Sequence, residues 1–192
     1  MKSMKNLKTI ALTLFVAATT LTASAQNKKI NVEKSKITWI GKKVTGQHDG
    51  TLNFSSGTLV FDGKKLKGGS FEVDMTSITV ADLQAGKGKE KLEGHLKADD
   101  FFGVDKFATS TLEFKTIAAK GGDVYTVTAD LTIKGKTLPV TFDLAIGTGT
   151  ARTSFKVDRT KYDIKYGSGS FFDNLGDKAI NDEFELTVSL VY

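Results

Sequence analysis

The chain reads as an all-β protein, a single antiparallel sheet closed into a barrel with one short helix. Three features predict it: apolar residues recur with period two, glycines punctuate the runs, and one segment alone has helical spacing. Strict alternation belongs to strands with one buried and one wet face, as antiparallel sheets have. Eight or nine such runs occur, and closure removes the edges that a long open meander would leave exposed.

The elements follow in chain order. Lys2, Lys5 and Lys8, the apolar run Ile10–Leu21 and the small-x-small pattern Ala23-Ser24-Ala25 predict a signal peptide over residues 1–25. The run is shorter than the roughly 20 residues that cross a bilayer. No later stretch is apolar enough to do so, and no cysteine follows the leader to carry a lipid anchor. An exported, soluble mature domain of residues 26–192 is expected, in the periplasm or secreted, without membrane insertion. Short alternations cover Ile37–Val44 and Leu52–Phe61, the second changing phase around Ser55-Ser56-Gly57, which predicts a turn or bulge. Phe71, Val73 and Met75 alternate with acids. Leu92, His95 and Leu96 fall at i, i+3 and i+4 within "KEKLEGHLKA", residues 89–98, and predict the helix. Leu112–Ile117 and Phe155–Val157 are short runs. Tyr125–Ile133 and Leu138–Ile146 are long ones, joined at Lys134-Gly135-Lys136 as a tight hairpin. Phe184–Tyr192 closes the chain.

Composition narrows the function. The formal net charge is +5, but three of the 27 basic residues lie in the leader, which leaves 24 against 22 acidic residues in the mature chain. The lysines are scattered through glycine-flanked turns rather than clustered on a face, so a nucleic-acid partner is not expected. The absence of cysteine excludes disulfides, thiolate metal sites, cysteine nucleophiles and redox dithiols. No Gly-x-Ser-x-Gly elbow, P-loop or EF-hand spacing occurs. The two histidines, His48 and His95, lie far apart and form no HExxH pair. "GQHDG", residues 46–50, reads as a bend joining two early strands, with His48-Asp49 bonding local backbone. An enzyme is not expected, and neither a cofactor nor a metal. The competing readings are a metal-assisted hydrolase using His48 and a solid-core structural or stress protein. Thirteen phenylalanines are either barrel filling or the walls of an apolar tunnel, and periodicity does not separate these two. In Phe101-Phe102 and Phe171-Phe172, extended backbone would send one ring inward and its neighbour elsewhere.

From about Ile30 to Tyr192 the chain resembles the YceI-like family of exported, lipocalin-like, polyisoprenoid-binding proteins. The segments that carry the resemblance are "GQHDGTLNFSSGTLVF" after Trp39, "GGSFEVDMTSI" (68–78), "HLKADDFFGVDKFATSTLEF" (95–114), "ADLTIKGKTLPVTFDL" (129–144) and "FKVDRTKYDIKYGSG" (155–169). The chain departs from the pattern at Phe107-Ala108, where Tyr-Pro is common, and in a longer "SGSFFDNLGDKAIND" stretch. The resemblance implies an extended eight-stranded barrel, its helix near one opening, holding a long isoprenoid or quinone-like lipid, and it leaves a homodimer open. Carried to this chain, the implied lumen residues are Trp39, Phe54, Phe71, Val73, Leu96, Phe101, Phe114, Val127, Leu131, Val140, Phe142 and Phe155. Lys42, Lys43, His48, Asp49 and Arg159 are polar candidates for the cavity mouth.

Overall fold

The computed structural model describes residues 25–192; the leader expected over residues 1–25 lies outside the described residues apart from Ala25. Nine strands and one helix follow in order: β1 (Ala25–Lys29), β2 (Lys36–Lys43), β3 (Gly46–Asp62), β4 (Lys65–Val80), α1 (Lys89–Lys97), β5 (Thr109–Gly121), β6 (Val124–Ile133), β7 (Lys136–Gly147), β8 (Thr150–Asp158) and β9 (Ile180–Val191). Every pairing is antiparallel. Strands β2 to β9 form a closed ring of eight, sealed where β2 meets β9 and where β3 meets β4.

The ninth strand explains itself through the length of β3. β2 pairs with Gly46–Leu52 and β1 with Thr58–Asp62, so both lie end to end along the edge of β3 that β4 leaves free. The phase change foreseen near Ser55-Ser56-Gly57 is a bulge between Phe54 and Ser56 inside a continuous strand, not a turn.

The period-two pattern sorts the two faces. On β6, Val127, Ala129, Leu131 and Ile133 point inward and are buried. Outward, Thr128 meets Thr141 at 3.0 Å and Thr132 meets Thr137 at 2.8 Å across the β6–β7 hairpin. That hairpin turns on Lys134 and Gly135, both at positive φ (52° and 74°), as a two-residue turn matched to strand twist requires.

One expectation shifts. His48-Asp49 does not form the bend between the early strands: the turn falls at Val44-Thr45, and Gly46–Asp62 is strand throughout. The glycines flanking the pair suggested the bend, yet Gly50 serves packing. The Trp39 indole crosses it and donates from Nε1 to Thr79 O (3.2 Å). A Cβ at Gly50 would fall 1.7 Å from Thr79 O and 2.7 Å from the indole. No side chain fits between these two seam strands.

The interior has two apolar clusters stacked along the barrel. The lower contains Leu59, Phe61, Leu66, Val127 and Leu144, and the upper contains Trp39, Ile78, Val80, Leu96, Phe101 and Ile164. β7 and β8 are hydrogen-bonded only at their lower ends, over Ala145–Gly147 and Thr150–Arg152. Above that, Leu138 and Val140 of β7 pack in the upper cluster with Val157, Tyr162 and Ile164, side chains doing there what a ladder does elsewhere. Burial pushes the Tyr162 phenol up to about 12, so it stays neutral in this apolar setting.

The seam yields a test. Gly50→Ala should cost about 3 kcal/mol in urea unfolding, because an added Cβ must separate β3 from β4 or expel the indole. A loss below about 1 kcal/mol would show that the seam yields freely.

Candidate ligand-binding site

At the upper end, where α1 and the long β8–β9 connection lie, the barrel holds a cavity of about 410 Å³. Below it lies a smaller space of about 80 Å³. Ile37, Val73, Ser110, Leu131 and Leu186 line both, so they form a neck between two stacked compartments. The upper volume is at the lower end of the roughly 300–1,000 Å³ typical of small-molecule sites.

The covering of the upper end comes from two segments. One is α1 and its sequel. The helix starts after Gly88 (φ 100°) and buries Leu96, while Leu92 reaches the same cavity. Glu93 accepts from Val80 N (2.9 Å), and Lys134 Nζ donates to Asp99 O and Phe101 O (2.6 and 2.9 Å), tying the segment to the barrel rim. Phe101 and Phe102 both line the cavity, because they sit in a turn rather than in extended chain. Phe171 and Phe172, also expected to diverge, are both half exposed on the β8–β9 connection.

The second covering segment is that connection, and Arg159 holds its base. The side chain is 3% exposed. Nε donates to Asn181 O (3.0 Å), Nη1 to Ile164 O and Tyr166 O (both 2.8 Å), and Nη2 to Ile180 O (3.0 Å). Burial draws the guanidinium pKa down, with Asp182 and Asp158 acting against the shift. A guanidinium has five N–H donors. Arg159 does line the cavity, but most of its donors are already engaged by the loop that frames the mouth.

The mouth carries the remaining polar groups. His48 Nδ1 lies 2.8 Å from Asp82 Oδ2, and Asp82 Oδ1 accepts from Asp49 N (3.2 Å). Partial burial acts to raise the Asp82 carboxyl, but the bonds from His48 and Asp49 outweigh it and hold the group below its ordinary range. The partner of His48 is therefore Asp82, brought in by the β4–α1 link, and not its neighbour Asp49. His95 Nε2 pairs with Asp100 at 3.1 Å, its ring edge-on to Tyr166 at 4.4 Å. Lys42 pairs with Glu185 at 2.8 Å. Among the described residues no three His, Asp or Glu side chains gather at metal-binding distance.

The structure separates the expected lumen residues into three groups. Trp39, Val73, Leu96, Phe101 and Leu131 line the upper cavity, with His48 and Arg159. Phe54, Phe71, Phe114, Phe142 and Phe155 line only the lower one, which Val73 and Leu131 also reach. Val127 and Val140 have the inward phase but border neither space: Val127 is in solid core, and Val140 packs against both clusters. Asp49 contributes backbone only. Met75, Phe184 and Leu186 were missed although the alternation of their strands carried the signal. Tyr166 and Ile180 had no signal, since only the folded connection places them at the mouth.

Fold and site together define an antiparallel barrel with an apolar chamber that opens under a helix at one end. The chain belongs to the YceI-like domain family, whose family model matches residues 28–192. It is 33% identical over 92 residues to a UPF0312 protein of Shewanella denitrificans, which covers 48% of this chain and 46% of that one. The chain thus spans about half the length of that curated relative. Among solved structures it is similar to BcnA of Burkholderia cenocepacia, with a TM-score of 0.67 and 23% identity over 85% of this chain and 99% of that one. A polyisoprenoid-binding domain from Saccharophagus degradans has a TM-score of 0.56 at 12% identity, covering 84% of this chain and 95% of that one. These likenesses establish the barrel fold.

Two measurements test the site. Arg159→Lys should cost about 2 kcal/mol or more and speed amide exchange between Ile164 and Asn181, since an ammonium lacks the fork that reaches four carbonyls. Unchanged exchange there would remove Arg159 as the support of the mouth. Ser110 Oγ, buried in the neck, has no hydrogen-bond partner among the described residues. Ser110→Ala should therefore raise the stability of the ligand-free protein by about 1 kcal/mol in chemical denaturation. A loss instead would show that the hydroxyl is satisfied.

Proposed function

We propose that this protein is an exported carrier for an apolar isoprenoid lipid, a polyisoprenoid or an isoprenoid quinone, with the tail in the barrel and the head group at the mouth. One observation carries the reading: a chamber of about 410 Å³ whose inner walls are aliphatic and aromatic apart from Ser110 in the neck, with the charged side chains gathered toward its mouth. Each methylene removed from water contributes about 0.8 kcal/mol, so a tail of a few isoprene units binds without any directional contact. The rim lysines, His48 and His95 suit a polar head group. The Saccharophagus degradans neighbour, described as polyisoprenoid-binding, supports the same class of ligand.

In this reading the protein does not catalyse; it removes a water-insoluble molecule from water for storage, transport or protection under stress. Residues 1–25 serve as the export signal and are cleaved, placing the carrier in the periplasm or outside the cell. No cofactor is required, and the bound lipid is the ligand.

Protein purified from its own host, extracted with organic solvent and analysed by mass spectrometry, should release an isoprenoid near one per chain. Native mass spectra showing only the bare polypeptide, with no lipid in the extract, would refute the carrier role.

A further inference from the structure

We infer that the mouth of the chamber docks reversibly on a phospholipid bilayer, through an exposed apolar patch on the β8–β9 connection and the β2–β3 turn. The inference rests on the lipid-carrier reading and supplies the surface across which a lipid is loaded and released.

Exposed apolar side chains gather at this end. Among the described residues five large ones are exposed, and four of them lie here. Phe171 and Phe172 are 49% and 50% exposed, Tyr166 46% and Val44 64%. The fifth, Val32, sits beside the C-terminal end of β9. Val44 donates its backbone N–H to Ala179 O (3.2 Å), which joins the turn to the connection. Tyr166 also lines the chamber, so it belongs to the exposed patch and to the chamber wall at once. Elsewhere the outer wall is polar: threonine pairs and lysine–carboxylate pairs cover it from β5 to β9.

The rings are held outward by a fixed loop. Ser168 is fully buried, and its carbonyl accepts from the backbone N–H of Phe171 (3.2 Å) and of Phe172 (3.0 Å). Ser170 Oγ donates to Asp182 (2.6 Å) and Ile180 N donates to Gly167 O (2.8 Å), so both arms of the loop are tied to its base. The Lys165 ammonium stands 4.8 Å from the centre of the Phe171 ring.

Size and charge choose the occupant. The four side chains expose about 400 Å² together, half of the roughly 800 Å² per partner that a stable protein interface takes. A second copy is therefore a poor fit. A bilayer asks for less: aromatic and aliphatic side chains that enter the head-group region, with cations at the level of the phosphates. Lys43, Lys165 and Lys178 border the patch, and none has an acid at ion-pair distance among the described residues. Asp173 and Asp177 are the acids beside them, while Asp163 and Asp182 face Lys136 and Arg159. Three lysines against two aspartates leave one positive charge, so apolar insertion outweighs attraction to anionic lipid. With the mouth seated in the head groups, a tail passes between membrane and chamber without crossing water.

The test is flotation of the mature chain, residues 26–192, with vesicles of phosphatidylethanolamine and a minor share of phosphatidylglycerol. The wild-type chain should float with them. Phe171→Ser combined with Phe172→Ser should lower its partition coefficient at least about tenfold, and raising the salt should lower it less. Phe171→Trp combined with Phe172→Trp should bind as well as the wild type, and circular dichroism confirms that each variant is folded. A wild-type chain that stays in the soluble fraction overturns docking and leaves the carrier reading standing, since lipid extraction tests that separately. Equal flotation of the folded serine variant overturns the patch as the docking surface. A dimer that the serine changes dissociate, with no flotation, assigns the patch to a second copy and overturns the bilayer. The same chains are then compared for transfer of solanesol from donor to acceptor vesicles, which the serine changes should slow at least about fivefold. Transfer at the wild-type rate overturns docking as the loading step. A wild-type chain that floats but transfers no solanesol overturns the carrier reading and leaves the docking surface in place.

Discussion

The hydrogen-bonded seam between β3 and β4 turns a curved sheet into a tube, and the rest of the interior depends on it. With the ring closed, every inward side chain of eight strands faces the same axis, and none can be covered by anything except another inward side chain or a ligand. The seam is sterically exacting: Gly50 lets the Trp39 indole cross it, and the long β3 serves β2 and β1 on its other edge. Closure also leaves a barrel of this size with an interior that its side chains only just fill. Below, large residues fill all but about 80 Å³ of it. Above, they do not.

That difference between the two halves follows from how each end is finished. The lower end closes with tight turns and strand ends, and Leu59, Phe61 and Leu66 are buried there. The upper end is finished by α1 and by the β8–β9 connection, which arch over the opening rather than fill it. Such arches leave backbone groups that need partners, and the buried Arg159 supplies four at once, to Ile164, Tyr166, Ile180 and Asn181. A buried charge is stable only when surrounded in this way. Its place here is better explained by the carbonyls it gathers than by stability gained from its separation of 3.7 Å from Asp182.

Much of the barrel was legible beforehand because period two is a local property: a strand whose apolar residues face one way must write that into its own sequence. The β6–β7 hairpin, the α1 helix and the bulge of β3 were legible for the same reason, each resting on a few adjacent residues. The histidine was read less well. His48 and Asp49 read as bonding local backbone in a bend, yet they lie in a strand, where adjacent residues point to opposite faces, and the partner of His48 is Asp82 from the β4–α1 link. The opposite-face reading of Phe101-Phe102 and Phe171-Phe172 held only for extended backbone, and neither pair lies in a strand.

The sequence by itself determined the fold class, the inward set of side chains, the absence of thiol chemistry and the resemblance to the YceI-like family. Each is written either in neighbouring residues or in composition. Only the tertiary structure decided which inward residues border empty space and which are solid core. Val127 and Leu131 share one strand and one phase, but the first is packed on all sides and the second lines the neck. Free volume is a property of how side chains from many strands meet, and no single strand records it. The contacts among Phe54, Phe71, Phe114, Phe142 and Phe155 are of the same kind, since the five rings come from five strands.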